Sequence, residues 1–302
     1  MSLDLLIVLV AALWGLVTGA LLPRAAYRFS APAGAEWRDR CPREHPVPGW
    51  LGRARCGQCA TDSTGGNGGT GTTGGTGSTG GNGSTGGTGT TGGNGSTGGT
   101  GTTGGTGSTG GSDNSRSTDN ASYGPGTAVL ATVTALVCAA LAAATGTRPE
   151  VAVWLLLAPV GVLLAAVDLR VRRLPDPLTL PLAGAALVLL GLTALVPEHA
   201  GEWTTAVLGA LALGGGYGVL FLINPAGMGF GDVKLALGAG AVLGWYGWPT
   251  LMLGTFAGFL LGALYGGALV VARRAGRKTT IPFGPFLIAG AFLGVLAGAY
   301  AA

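Results

Sequence analysis

Eight apolar stretches punctuate this chain of 302 residues, at roughly 3 to 22, 126 to 146, 150 to 167, 177 to 197, 203 to 223, 233 to 249, 250 to 272 and 281 to 301. A helix needs about 20 apolar residues to cross the hydrocarbon core of a bilayer, so each stretch is read as a membrane span. Composition agrees: 48% of residues are hydrophobic and only 10% charged, where a soluble domain carries about 25% charge. The expected fold is therefore an all-α polytopic membrane protein with about eight transmembrane helices. The sixth and seventh spans run together as LGWYGWPTLMLG, where Pro249 and the cluster Trp245, Tyr246 and Trp248 predict a tight turn at headgroup level. The first span is expected to stay in place. Its flank MSLD has no basic region, and no small-residue cleavage pattern precedes the next segment.

Basic residues then set an orientation. With the N-terminus outside, every one of the 17 Lys and Arg residues except Arg148 falls on the inner side, and the loop PEHAGE at 197 to 202 has none. The net charge of +4 thus reports topology, and nucleic-acid binding is not expected. Four parts follow. Residues 1–22 form the first span, 23–62 a cytoplasmic segment containing cysteines, 63–125 a linker, and 126–302 a seven-helix domain. Within the linker, residues 63–112 contain only Gly, Thr, Ser and Asn in a loose TGGxGx hexad. A repeat without apolar residues has nothing to bury, so it is read as a disordered spacer. Fifty residues of Gly-rich coil span roughly 40 Å on average, enough to tether without fixing geometry.

Charge inside the apolar region is scarce enough to demand a reason. Asp232 sits in NPAGMGFGDVKLALG at the cytoplasmic start of the sixth span, and Asp168 in AAVDLRVRRLPDPLTLPL at the cytoplasmic end of the third. A carboxylate near hydrocarbon costs on the order of 3 kcal/mol unless it faces a cavity, which makes such residues functional candidates. Two carboxylates at one depth in a partly dry site cannot both ionise easily. They share a proton, one acting as general base on a water and the other as general acid. Gly229 and Gly231, lacking side chains, would let a substrate backbone approach the acid. Structural roles stand beside this one: Asp232 as the N-cap of its helix, Asp168 as a solvated loop carboxylate, and either as part of an ion pathway. Asp176, in an Asp-Pro before an apolar run, reads as an N-cap, and Lys234 as an interfacial snorkelling cation.

GFGD at 229 to 232 continuing as VKLALGAGAVLGW, Asp168 followed after five residues by LPDPLTLPL, and IPFGPFLIAG at 281 to 290 together resemble the prepilin peptidase (type IV leader peptidase) family of GxGD intramembrane aspartyl proteases. The likeness covers about residues 126 to 302 well and 1 to 60 loosely. It implies an endopeptidase of the bacterial inner membrane, with Asp168 and Asp232 catalytic and no cofactor for proteolysis. It also implies cleavage of the basic leader of type IV prepilins or type II secretion pseudopilins, after a glycine and before the hydrophobic segment. In many members the new terminus is then methylated with S-adenosylmethionine.

Family members often carry two CxxC pairs after the first helix. Here CPREHPVPGWLGRARCGQC keeps Cys56 and Cys59, but Cys41 is followed by Glu44 and His45 rather than by a second cysteine. Zinc accepts imidazole as well as thiolate, so Cys41, His45, Cys56 and Cys59 remain a candidate zinc site. A disulfide is not expected in the reducing cytosol, and Cys138 reads as a small packing residue. Two competing functions remain: a transporter or proton pathway using the same aspartates, for which matched broken-helix repeats are not apparent, and a scaffold that positions pilins without cutting them, which the presence of both aspartates disfavours.

Overall fold

The computed structural model describes residues 2–32, 34–64, 122–225, 228–272 and 282–302. The expected linker therefore lies almost wholly outside the described residues. The chain divides into two compact units, residues 57–121 and the remainder. The smaller is described only as helix α2 (Gly57–Thr64). The larger holds α1 (Leu3–Phe29), α3 (Thr127–Thr145), α4 (Glu150–Val171), α5 (Asp176–Thr193), α6 (Trp203–Ile223), α7 (Phe230–Gly244), α8 (Trp248–Val271) and α9 (Gly284–Ala301). Among the described residues there is no strand, only two isolated bridges, Arg40 with Pro46 and Arg55 with Ser122.

All-helical architecture is what a bilayer requires, because a helix satisfies its backbone polar groups within itself. Among the described residues seven helices are long and apolar enough to cross a membrane: α1, α3, α4, α5, α6, α8 and α9. The sixth expected span, 233 to 249, is the exception. It forms α7, only 15 residues and hence about 22 Å long, against roughly 30 Å of hydrocarbon. Its apolar character serves burial among other helices: Leu235, Ala236, Ala239, Ala241 and Leu243 are all in the core. The break between α7 and α8 falls at Trp245–Gly247, with Gly247 at φ 93° and Pro249 in the first turn of α8, as the aromatic cluster and proline predict.

At the other end of the chain, α1 runs seven residues beyond its expected limit, to Phe29. Its last two turns organise the segment that follows. Arg24 donates to the Pro48 carbonyl at 2.6 Å and Arg28 to that of Gly49 at 2.9 Å, while the Tyr27 hydroxyl donates to Arg40 at 2.8 Å. The Arg28 guanidinium also lies 4.2 Å over the Trp50 ring. These cations anchor the segment.

Helix pairing relies on small residues. Without a hydrophobic force between helices in lipid, close backbone approach supplies the van der Waals gain. A Cβ on Gly15 would lie 2.6 Å from the Thr134 carbonyl oxygen, which brings α1 against α3. A Cβ on Gly209 would lie 2.5 Å from the Gly240 carbonyl oxygen, and one on Gly240 would lie 2.8 Å from the Gly209 carbonyl carbon. Backbone cannot yield as a side-chain tip can. Gly240→Val is thus expected to part α6 from α7 and cost about 1–3 kcal/mol or more, read as a lower Tm of the detergent-solubilised protein.

Candidate active site

Asp168 lies in the last turn of α4. The helix stops because Arg172 adopts the left-handed conformation, φ 52°, with its N–H donating to the Asp168 carbonyl at 2.8 Å, and because Pro175 and Pro177 follow closely. Between them the short connection buries Leu174. Asp232 lies in the first turn of α7, whose N-cap is Gly229 rather than Asp232. The aspartate is the third helical residue: its N–H donates to the Gly229 carbonyl at 3.0 Å, and its carboxylate turns back toward the Gly229 backbone. An acid there gains from the helix N-terminus as well.

These two elements and α9 meet around the carboxylates. Asp168 is 4% exposed and Asp232 8%, and the two are near enough for their charges to interact. The backbone of Gly284, first residue of α9, faces Asp168. A Cβ there would lie 2.7 Å from Asp168 Oδ2 and 3.4 Å from Leu174 Cδ1. Oδ2 is buried and makes no hydrogen bond among the described residues. Gly231 packs on the same leucine, a Cβ there falling 2.9 Å from Leu174 Cβ. The room left by its missing side chain is therefore occupied by the α4–α5 connection, whereas Gly229 is exposed and its bare Cα remains open on that side.

The neighbouring charges pair with each other. Lys234 Nζ is 2.7 Å from Asp176 Oδ2 and 4.9 Å from the centre of the Phe230 ring. This corrects two expectations. Asp176 is the first residue of α5 and makes no side-chain cap, since its carboxylate is drawn to Lys234; Lys234 in turn is held within the protein. Among the described residues neither Asp168 nor Asp232 has a cationic partner. An apolar groove of about 440 Å³ runs from beside this site, at Leu169 and Pro285, toward Trp154 and Val295, lined by α3, α4, α5, α7 and α9.

In the cysteine segment a tight turn carries His45 back to the thiols. In CPREH, Glu44 takes φ 63°, its N–H donates to the Cys41 carbonyl, and the Cys41 N–H donates to the His45 carbonyl, both at 2.9 Å. This tight turn brings His45 Nδ1 to 3.6 Å from the sulfurs of both Cys41 and Cys56. Zinc bonds of about 2.0–2.3 Å at a tetrahedral angle separate neighbouring N and S ligands by roughly 3.6 Å. Cys41 and Cys56 are buried. Cys41, His45 and Cys56 thus present donors that could hold a metal, and Cys59 is the second half of the CxxC in sequence.

Of the groups that surround the carboxylates, Gly284 and Leu174 escaped sequence reasoning. The motif IPFG pointed to the right segment, but nothing local to it reveals contact with a residue more than 100 positions away.

Fold and site together define a polytopic helical membrane protein with two buried carboxylates at helix ends. Residues 155–267 match the model of the type IV leader peptidase family. Both aspartates fall within the match. The chain is 38% identical over 152 residues to a prepilin leader peptidase/N-methyltransferase of Aeromonas salmonicida, covering 48% of each chain. It is 38% identical over 142 residues to the protein of that name from Escherichia coli, covering 43% of this chain and 56% of the other. Against the Pseudomonas aeruginosa protein it is 34% identical over 143 residues, covering 45% and 46%. The matches thus span about half the length of these relatives. No solved structure matches the chain.

Proposed function

We propose that this protein is an intramembrane aspartic endopeptidase that removes the leader of type IV prepilins or pseudopilins at the cytoplasmic face of the bacterial inner membrane, with Asp168 and Asp232 as its acid and base. The observation that carries this reading is the meeting of two buried carboxylates from α4 and α7, without a cation to neutralise either among the described residues. A structural ion pair would need such a cation; an acid–base pair needs its absence.

In the proposed reaction one carboxylate takes a proton from water as the water oxygen bonds to the scissile carbonyl carbon. The other gives its proton to the carbonyl oxygen. Collapse of the tetrahedral intermediate restores the C=O bond, breaks the C–N bond, and returns a proton to the departing amine. A basic leader would lie at the cytoplasmic surface and the apolar tail of the substrate along the groove of α3, α4, α5, α7 and α9. The orientation with the N-terminus outside follows from the distribution of Lys and Arg. Incubating the purified protein with a prepilin tests the reading, with two fragments expected. In the transporter or proton-pathway alternative the prepilin stays whole and proteoliposomes dissipate a pH gradient.

Methylation of the new terminus with S-adenosylmethionine as donor is proposed from the relatives' names alone, and no residue is assigned to it. Zinc is proposed at Cys41, His45, Cys56 and Cys59, as a staple for the segment that α1 anchors. Purified protein is then expected to contain about one zinc per chain, and Cys56→Ser to lose most of it. Metal-free wild-type protein with an intact fold would exclude the site.

A further inference from the structure

The turn PGWLGR at 48 to 53 lies between the candidate metal donors His45 and Cys56 and has no part in the reaction proposed above. Its backbone is pinned to α1. The Gly52 N–H donates to the Leu21 carbonyl at 2.7 Å, and the Gly52 carbonyl accepts from the Arg24 N–H at 3.0 Å. Gly49 and Gly52 take φ 72° and 121°, a backbone that suits glycine, and between them Trp50 and Leu51 are 42% and 61% exposed. The Trp50 ring is nonetheless held in place, 4.9 Å from the Phe29 ring and 4.2 Å from the Arg28 guanidinium. Trp37, also exposed, packs on the same Phe29 at 5.2 Å. Large apolar side chains held rigidly in the open mark a contact surface.

The place of the turn along α1 says what covers it. Large apolar side chains of α1 are exposed from Leu3 to Leu21, about 27 Å of helix against roughly 30 Å of hydrocarbon. The edge of the hydrocarbon therefore falls near Leu21, the residue that Gly52 is bonded to. Leu51 and Trp50 continue the lipid-facing surface of α1 at the depth where tryptophan rings concentrate. Arg38 follows Trp37, and Arg53 closes the turn; both are exposed, and neither makes an ion pair among the described residues. Residues 23–62 hold seven arginines against four carboxylates, so the segment at this edge is positive.

We propose that this turn is an interfacial anchor whose partner is anionic phospholipid: Trp50 and Leu51 sit at the boundary of acyl chains and headgroups, and Arg38 and Arg53 bind headgroup phosphates. The apolar pair sets the depth, and the arginines supply the preference for negative headgroups. The segment that carries Cys41, His45 and Cys56 is thereby held at the membrane surface. The inference needs only that α1 crosses a bilayer and is independent of peptide cleavage.

The full-length protein tests it in two ways. In phosphatidylcholine nanodiscs containing phosphatidylglycerol, the fluorescence of Trp50, taken as wild type minus Trp50→Phe, is expected to be quenched by lipid brominated in the upper acyl chain and little by iodide from water. In detergent, titration with phosphatidylglycerol followed by native mass spectrometry is expected to show an apparent Kd raised about fivefold in Arg38→Gln and in Arg53→Gln, with phosphatidylcholine binding unchanged. Trp50 fluorescence quenched by iodide and not by brominated lipid overturns the proposal. So does a Kd for phosphatidylglycerol that both arginine variants leave as it was.

Discussion

Asp168→Asn and Asp232→Asn are each expected to stop prepilin cleavage while the protein continues to accumulate in the membrane. Asparagine fills the volume of aspartate but neither takes a proton from water nor delivers one to a carbonyl. Losing either role should cost on the order of 10²–10⁴-fold. The two losses should not add, because each residue is useless without the other. Fold is expected to survive: both side chains are small, and neither is held by a counter-ion among the described residues. Rates of processing by membranes containing each single variant and the double variant check this directly, with protein level as the control.

Gly284→Val is expected to impair cleavage nearly as much without touching a titratable group. A Cβ at this position would lie 2.7 Å from Asp168 Oδ2 and 3.2 Å from its Cγ, with Leu174 Cδ1 at 3.4 Å closing the other side. Something must move, and the carboxylate is the nearest object able to do so. Misplacing a catalytic atom by about 1 Å can cost roughly 10²-fold. Gly184→Ala supplies the comparison: nothing lies within 4 Å of a Cβ placed there, so activity should be kept. Equal activity of the two variants would mean that α9 does not set the position of Asp168.

The contrast between these residues shows what could be read along the chain. Apolar length is a local property, so α3, α4, α6, α8 and α9 were legible within a few residues. Where apolar character served burial rather than lipid contact, as in α7, the same signal overstated the span. The aspartates were legible because charge inside an apolar run is costly wherever it occurs. The CPREH turn was half legible: the spacing offered His45 as a donor, but only the left-handed Glu44 explains how it returns to Cys41. Gly284 and Leu174 were not legible, because their meaning lies in contacts across the bundle. Gly284 looks like any of the 60 glycines until a Cβ is imagined beside Asp168. The pairing of Lys234 with Asp176 is of the same kind, joining two helices whose charges each had an adequate local explanation.

The N-terminal mass of a prepilin co-expressed with this protein tests the account most directly. The paired-acid account predicts a pilin shortened by its whole leader, beginning immediately before the hydrophobic segment, and a full-length prepilin when Asp168 or Asp232 is asparagine. A prepilin that keeps its leader beside the wild-type protein, or loses it beside either variant, would contradict it.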